Sequence, residues 1–146
     1  NTLDDAHRLA GRMKAELERR LCHPEVLRYC SAELVADNCF HAVLEAMKGV
    51  TAQLRQISGR SDDGSTLVTA CFMGTSPVLR INALLTETDK GEQRGFGNLL
   101  NGLYGTYRNP TAHEPKIEWQ MAEHDALDVM TAVSLVQRKL DRAVKI

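Results

Sequence analysis

Apolar side chains recur every three or four residues through most of this chain, a period that belongs to helices and not to strands. Phe40, Val43, Leu44, Met47, Val50, Leu54 and Ile57 trace one helix face within residues 39 to 57. Leu3, Ala6, Ala10, Met13, Leu17 and Leu21 do the same within residues 3 to 21. A last helix is expected from about Glu123 to Ala143, with Ala126, Leu127, Met130, Val133, Val136 or Gln137, and Leu140 inward. Its Glu123 and Asp125 come first and its Arg138, Lys139 and Arg142 last, the order that suits the helix dipole. These periods predict an all-α bundle.

Punctuation divides the rest. Pro24 ends the first helix and suits the first turn of the next, predicted over residues 24 to 36, with Asp37-Asn38 as a break. Gly59 and the turn Ser61-Asp62-Asp63-Gly64-Ser65 close the helix ending near Ile57. Residues 66 to 86 read ambiguously: Thr66-Leu67-Val68-Thr69-Ala70-Cys71-Phe72-Met73 suits a strand or a buried helical turn. Thr86 to Gly91 reads as a polar connection, followed by a helix from about Glu92 to Arg108 carried by Phe96, Leu99, Leu100, Leu103 and Tyr107. Gly95, Gly102 and Gly105 each weaken that helix by about 0.8–1 kcal/mol relative to Ala. Close approach of another backbone, from a crossing helix or a dimer partner, is the expected reason.

At 146 residues the chain is sized for about one domain. Residues 1–23 are expected to form an N-terminal helical arm or linker and 24–146 the bundle domain. The 18 basic and 19 acidic residues nearly cancel, so any nucleic-acid contact must come from a local patch. No apolar run approaches the ~20 residues of a membrane helix, so no membrane partner is expected. The acidic opening Asn1-Thr2-Leu3-Asp4-Asp5 is unlike a signal peptide. The missing initiator Met, with helical pattern beginning at once, leads us to expect an upstream domain. Cys22, Cys30, Cys39 and Cys71 lack C-x-x-C spacing; Cys22-His23 and Cys39-Phe40-His41 fit no common zinc finger. Reduced core thiols in a cytoplasmic protein are the expectation, and His41 is expected to be a partly buried helix residue.

The chemistry concentrates in Arg108-Asn109-Pro110-Thr111-Ala112-His113. A guanidinium is always charged and fits a phosphate with a planar fork of donors. An imidazole gives or takes a proton near neutrality. On an unbroken helix positions 108 and 113 would lie about 140° apart. Pro110 interrupts the helix and biases Asn109 away from helical geometry. Asn109 then serves as a cap for a new turn or as a helper in the site, and His113 can return toward Arg108. Asn101 and Tyr104, seven and four residues before Arg108, share its helix face; with Glu114 they are candidates to line a substrate cleft.

This run resembles the Arg-x(4–6)-His signature of the HEPN superfamily, whose commonest form also has Asn after Arg. The wider stretch Arg94-Gly95-Phe96, Asn98 to Gly102, Tyr107 to Pro110 and His113-Glu114-Pro115 is similar to a prokaryotic branch of Ymh-type C-terminal domains. The resemblance spans roughly residues 24 to 143. It implies an antiparallel helical bundle with a short insertion around residues 60–90. It further implies a metal-independent endoribonuclease of a toxin or anti-phage system that uses no cofactor. Arg108, Asn109 and His113 would be its catalytic residues, cleaving RNA through 2′-hydroxyl attack. The site would be composite, shared by a homodimer, with an upstream sensor domain or a cognate antitoxin as further partners. The alternative is a non-catalytic module for dimerisation and RNA or nucleotide binding. Some relatives carry, two residues after the His, a Tyr whose nucleotidylation silences them; Pro115 stands there in this chain, so that control is not expected.

Overall fold

The computed structural model describes residues 2–36, 38–108 and 120–146. Four long helices carry it: α1 (Thr2–Arg19), α4 (Phe40–Ser58), α6 (Glu87–Leu103) and α7 (Glu123–Arg142). Shorter ones fill between them: α2 (Pro24–Leu27), α3 (Ala32–Val35) and α5 (Gly64–Phe72). The sheet content of the described residues is an antiparallel pair, β1 (Leu79–Arg80) with β2 (Val144–Lys145). The all-α expectation therefore holds.

α4 forms the centre because its sequence is apolar on more than one side. Val43, Ala46, Met47, Val50 and Leu54 are fully buried, and the helix packs chiefly on α7. Met130, Val133, Val136 and Leu140 come from α7 into the same core. α1 adds Ala10, Met13 and Leu17, packed on α3 and α7. Its Arg12 makes a bidentate pair with Glu123, Nη2 to Oε1 at 2.7 Å, fixing α1 against the first turn of α7. Cys22, Cys39 and Cys71 are buried and Cys30 is half-buried, all as free thiols. Burial pushes the thiol pKa of Cys30, Cys39 and Cys71 up, to about 11 at Cys30, which suppresses the thiolate and suits a packing role.

Three boundaries differ from the sequence expectations, two of them through hydrogen bonds. The single helix expected over residues 24 to 36 is two one-turn helices. Tight bonds from the Tyr29 and Cys30 N–H groups to Val26 and Leu27 carbonyls end α2. Ser31, in extended backbone, restarts the chain by accepting the Leu34 N–H. The polar connection expected before Glu92 is the first turn of α6, which begins at Glu87 under a capping box between Thr86 and Asp89. The far end of α6 does not continue as α-helix to Arg108. It widens into a π-helical turn over Tyr104–Arg108. Elsewhere, Asp37 lies outside the described residues, while Asn38 Oδ1 accepts the Phe40 N–H at 2.7 Å. His41 is partly buried on α4, as expected.

The ambiguous segment after Thr66 resolves as α5, packed on α6 and α4, followed by a loop that β1 and one glutamine fasten down. Gln93 is buried on α6. Its Nε2 donates to the carbonyls of Phe72 and Leu79, at 3.2 and 3.0 Å, and its Oε1 accepts the Ile81 N–H at 3.0 Å. Gln93→Leu leaves three backbone groups without their partner, two of them buried, at about 1–3 kcal/mol for each buried one. Urea unfolding is expected to show a loss above about 2 kcal/mol; an unchanged midpoint would show that the loop is held by packing alone.

Glycines of two kinds punctuate the helices. A Cβ on Gly49 would meet the hydroxyl of Tyr29, so the two short helices approach α4 through it. Nothing of the described chain lies within 4 Å of a Cβ built on Gly95, Gly102 or Gly105. The close approach expected for these three therefore does not come from the described part of the same chain. Gly95→Ala and Gly102→Ala are each expected to raise the stability of the isolated chain by about 0.5–1 kcal/mol. Gly49→Ala is expected to lower it, since forced overpacking costs about 1–3 kcal/mol. Chemical denaturation of the three variants checks the contrast.

Candidate functional site

The π-helical turn is the local feature that sets the site. A π-turn is rare and widens the helix by one residue, and such turns gather at functional positions. Here it delivers Tyr104 inward and Arg108 to the rim. Tyr104 is fully buried, and its hydroxyl shares a 2.5 Å hydrogen bond with Thr51 Oγ1 of α4. Burial raises the phenol pKa, so Tyr104 stays a neutral anchor. The Arg108 guanidinium lies over the Tyr104 ring, 5.6 Å from its centroid. Its Nη2 donates to Asp63 Oδ2 at 2.8 Å. The Arg108 side chain is 23 % exposed, so its alkyl stem is covered while the fork stays within reach of solvent.

Asp63 is the partner that sequence reasoning missed. It reads as one residue of a polar turn, and its tie to Arg108 spans 45 positions. Its other oxygen, Oδ1, accepts the Gly64 N–H at 2.8 Å as the N-cap of α5. The Arg108 hydrogen bond holds the Asp63 carboxyl below the ordinary aspartate range. Partial desolvation opposes this, and the Gly64 N–H and the charges of Arg108 and Arg55 add to the lowering. Around it stand Arg55, donating from Nε to the Asp62 carbonyl at 2.9 Å, and Arg60, paired to Asp62 at 2.6 Å. Three guanidiniums thus meet two carboxylates at one corner of a chain whose net charge is −1. The surplus of one positive group makes this corner locally basic on a near-neutral chain.

The remaining sequence candidates fall unevenly. Asn101 is partly buried on α6, and its buried Oδ1 has no hydrogen-bond partner among the described residues. Asn109, His113 and Glu114 lie outside the described residues. Where the described chain resumes, Gln120 and Met121 face Leu103 and Tyr107 across a cavity of about 410 Å³ that also takes in Asp125 and Asp128 of α7. No group of three or more His, Cys, Asp or Glu side chains among the described residues is arranged to hold a metal ion. No helix among them is long and apolar enough to cross a membrane.

Comparison with known families matches residues 20–140 to one described as "Protein of unknown function (Hypoth_ymh)". The match covers most of the chain, and the chain belongs to that family, in agreement with the Ymh-type resemblance read from its sequence. No curated protein and no solved structure matches it.

The Asp63 pair has a pH signature. A carboxyl lowered in the folded state lends stability that is complete above its unfolded pKa and is lost as pH falls through the folded value. An NMR titration is expected to place Asp63 below the ordinary value of 3.8. Arg108→Ala is expected to move it up. An Asp63 titration indifferent to Arg108→Ala would deny the pair.

Proposed function

We propose that this protein is a HEPN-superfamily endoribonuclease that cleaves RNA without a metal, by attack of the 2′-hydroxyl on the adjacent phosphate. The observation that carries the reading is the placement of Arg108. Its guanidinium is backed by an aromatic face, oriented by a carboxylate at a helix N-terminus, and set in a basic corner immediately before Asn109 and His113. A fork held that way costs no reorganisation as charge builds on a phosphorane, the condition under which such donors contribute most. In this reading Arg108 neutralises the phosphorane, and His113 takes the 2′-hydroxyl proton or protonates the leaving 5′-oxygen. Asn109 orients the phosphate or the imidazole. Tyr104 and Asp63 are positioning residues, while Asn101 and Glu114 are candidates at the edge of the cleft.

One Arg and one His do not supply a separate acid and base, so the active unit in this proposal is a homodimer with two Arg108-to-His113 segments across one cleft. The exposed glycines of α6 and of the π-turn that follows it support it. Gly95, Gly102 and Gly105 leave open space where a Cβ would sit, and each costs helix stability that a close contact between chains would offset. Gly102→Leu is expected to convert a sedimenting dimer to monomer at micromolar concentration while the isolated chain stays folded. A dimer that survives Gly102→Leu and Gly95→Leu together would place the interface elsewhere. A cytoplasmic effector restrained by an upstream sensor domain or an antitoxin fits this activity.

His113→Ala is expected to reduce cleavage by about 10²–10⁴-fold. Arg108→Ala is expected to reduce it by about 10²–10³-fold, with poor rescue by Arg108→Lys because a point charge lacks the fork. Cleavage should survive EDTA and fail on DNA or on 2′-O-methyl RNA. The bond between Arg108 and Asp63 also favours a second reading, in which Arg108 is a strut of a non-catalytic dimerisation or RNA- or nucleotide-binding module. That reading predicts intact RNA, and equal losses of melting temperature in Arg108→Ala and Asp63→Ala.

A further inference from the structure

A second concavity lies at the other end of α6. Between the C-terminal end of α5, the segment 74–84 and the first turns of α6 is a cavity of about 530 Å³, within the range of small-ligand sites. Its apolar side is made by Phe72, Pro77 and Leu84, and its charged side by Lys90 and Arg94. From Arg94 to Arg108 is about 20 Å along the helix, so it is separate from the corner described above.

Three features distinguish this cavity from an incidental surface dent. Lys90 and Arg94 are four apart on one helix face, where like charges repel. Lys90 has Glu87 at 3.5 Å, and no carboxylate of the described residues pairs with Arg94. The wall is rigid: Gln93 bonds three backbone groups of the loop, and Asn82 donates to the Asp89 carbonyl and to Glu92 while accepting the Leu84 N–H. The Phe72 ring is fixed edge-on against Phe96 at 5.2 Å. Finally, Leu84 is held at φ 53°, a left-handed conformation that a bulky side chain rarely adopts and that surrounding bonds must enforce. That conformation sets its side chain into the cavity wall.

We propose that this cavity binds a small organic anion, a phosphate or carboxylate carried on an apolar body. The Arg94 fork and the Lys90 ammonium take the charged group, and Phe72, Pro77 and Leu84 take the body. A preformed wall of this kind loses little freedom on binding.

Calorimetric titration of the protein with naphthyl phosphate and with naphthoate, against inorganic phosphate and neutral naphthol, tests it. Saturable binding at about 1 mM or tighter is expected for at least one of the first two, and the stronger of them identifies the charged group. Phosphate alone and naphthol alone are each expected to bind at least about tenfold more weakly. Arg94→Ala is expected to weaken the preferred probe by about tenfold or more, with the melting temperature unchanged because the side chain is exposed. Leu84→Gly, which relieves the left-handed backbone while removing the wall, should weaken the probe without unfolding the protein. No saturable binding of either anion overturns the proposal. So does equal binding of naphthol, or affinity indifferent to both Arg94→Ala and Leu84→Gly. These measurements read neither RNA cleavage nor dimerisation, so they stand or fall independently of the ribonuclease reading.

Discussion

Asp63 joins three parts of the molecule through one carboxylate. One oxygen caps α5; the other holds Arg108 at the end of the π-turn that follows α6; and Arg55 of α4 stands 3.9 Å from the first. Without it, α5 would begin with an unsatisfied N–H, and the Arg108 fork would swing on a flexible stem. The bridge is partly exposed, with the Asp63 side chain at 50 %, and an exposed ion pair adds little to stability. Its value lies in direction. A guanidinium between a ring face and a fixed carboxylate points one way, and pointing decides whether a cation can meet charge as it develops.

The same corner shows how a nearly neutral chain carries a locally positive surface. Net charge governs long-range attraction, whereas the charges within a few ångströms govern the bound state. Arg55, Arg60 and Arg108 around Asp62 and Asp63 give a local surplus of positive groups at one end of the bundle. Attraction of this range falls quickly with salt, so under the proposed function binding would rest on close contacts at this corner and weaken as salt rises.

The long helices were legible in the sequence because their burial is periodic. Val43, Met47, Val50 and Leu54 announced α4, and α7 lies within a residue of its expected end. What escaped was set by single polar groups. Thr86 and Asp89 are three apart and form a capping box, a pattern that was present but masked by the polar run around it. Ser31 splits the segment after Pro24 by accepting one N–H. The β1–β2 pair escaped because two-residue strands leave no alternation to read. In the site, Arg108 was singled out by its motif and Tyr104 by its place on the same helix face as a cleft-lining candidate; the structure buries Tyr104 in the core, beneath the Arg108 guanidinium. Asp63 and Thr51 could not be paired with them by spacing, since their contacts cross 45 and 53 positions. The exposed glycines of α6 and its π-turn were visible as an anomaly, and the described residues of one chain leave open space around them.

The most direct test of the central claim is the chemistry of the cut ends. Attack by the 2′-hydroxyl under Arg108 and His113 leaves a 2′,3′-cyclic phosphate on one fragment and a 5′-hydroxyl on the other. Mass spectrometry of a short RNA incubated with the protein in EDTA is predicted to show those two ends. Fragments carrying 3′-hydroxyl and 5′-phosphate ends, or RNA left whole by the dimeric protein, would contradict the account.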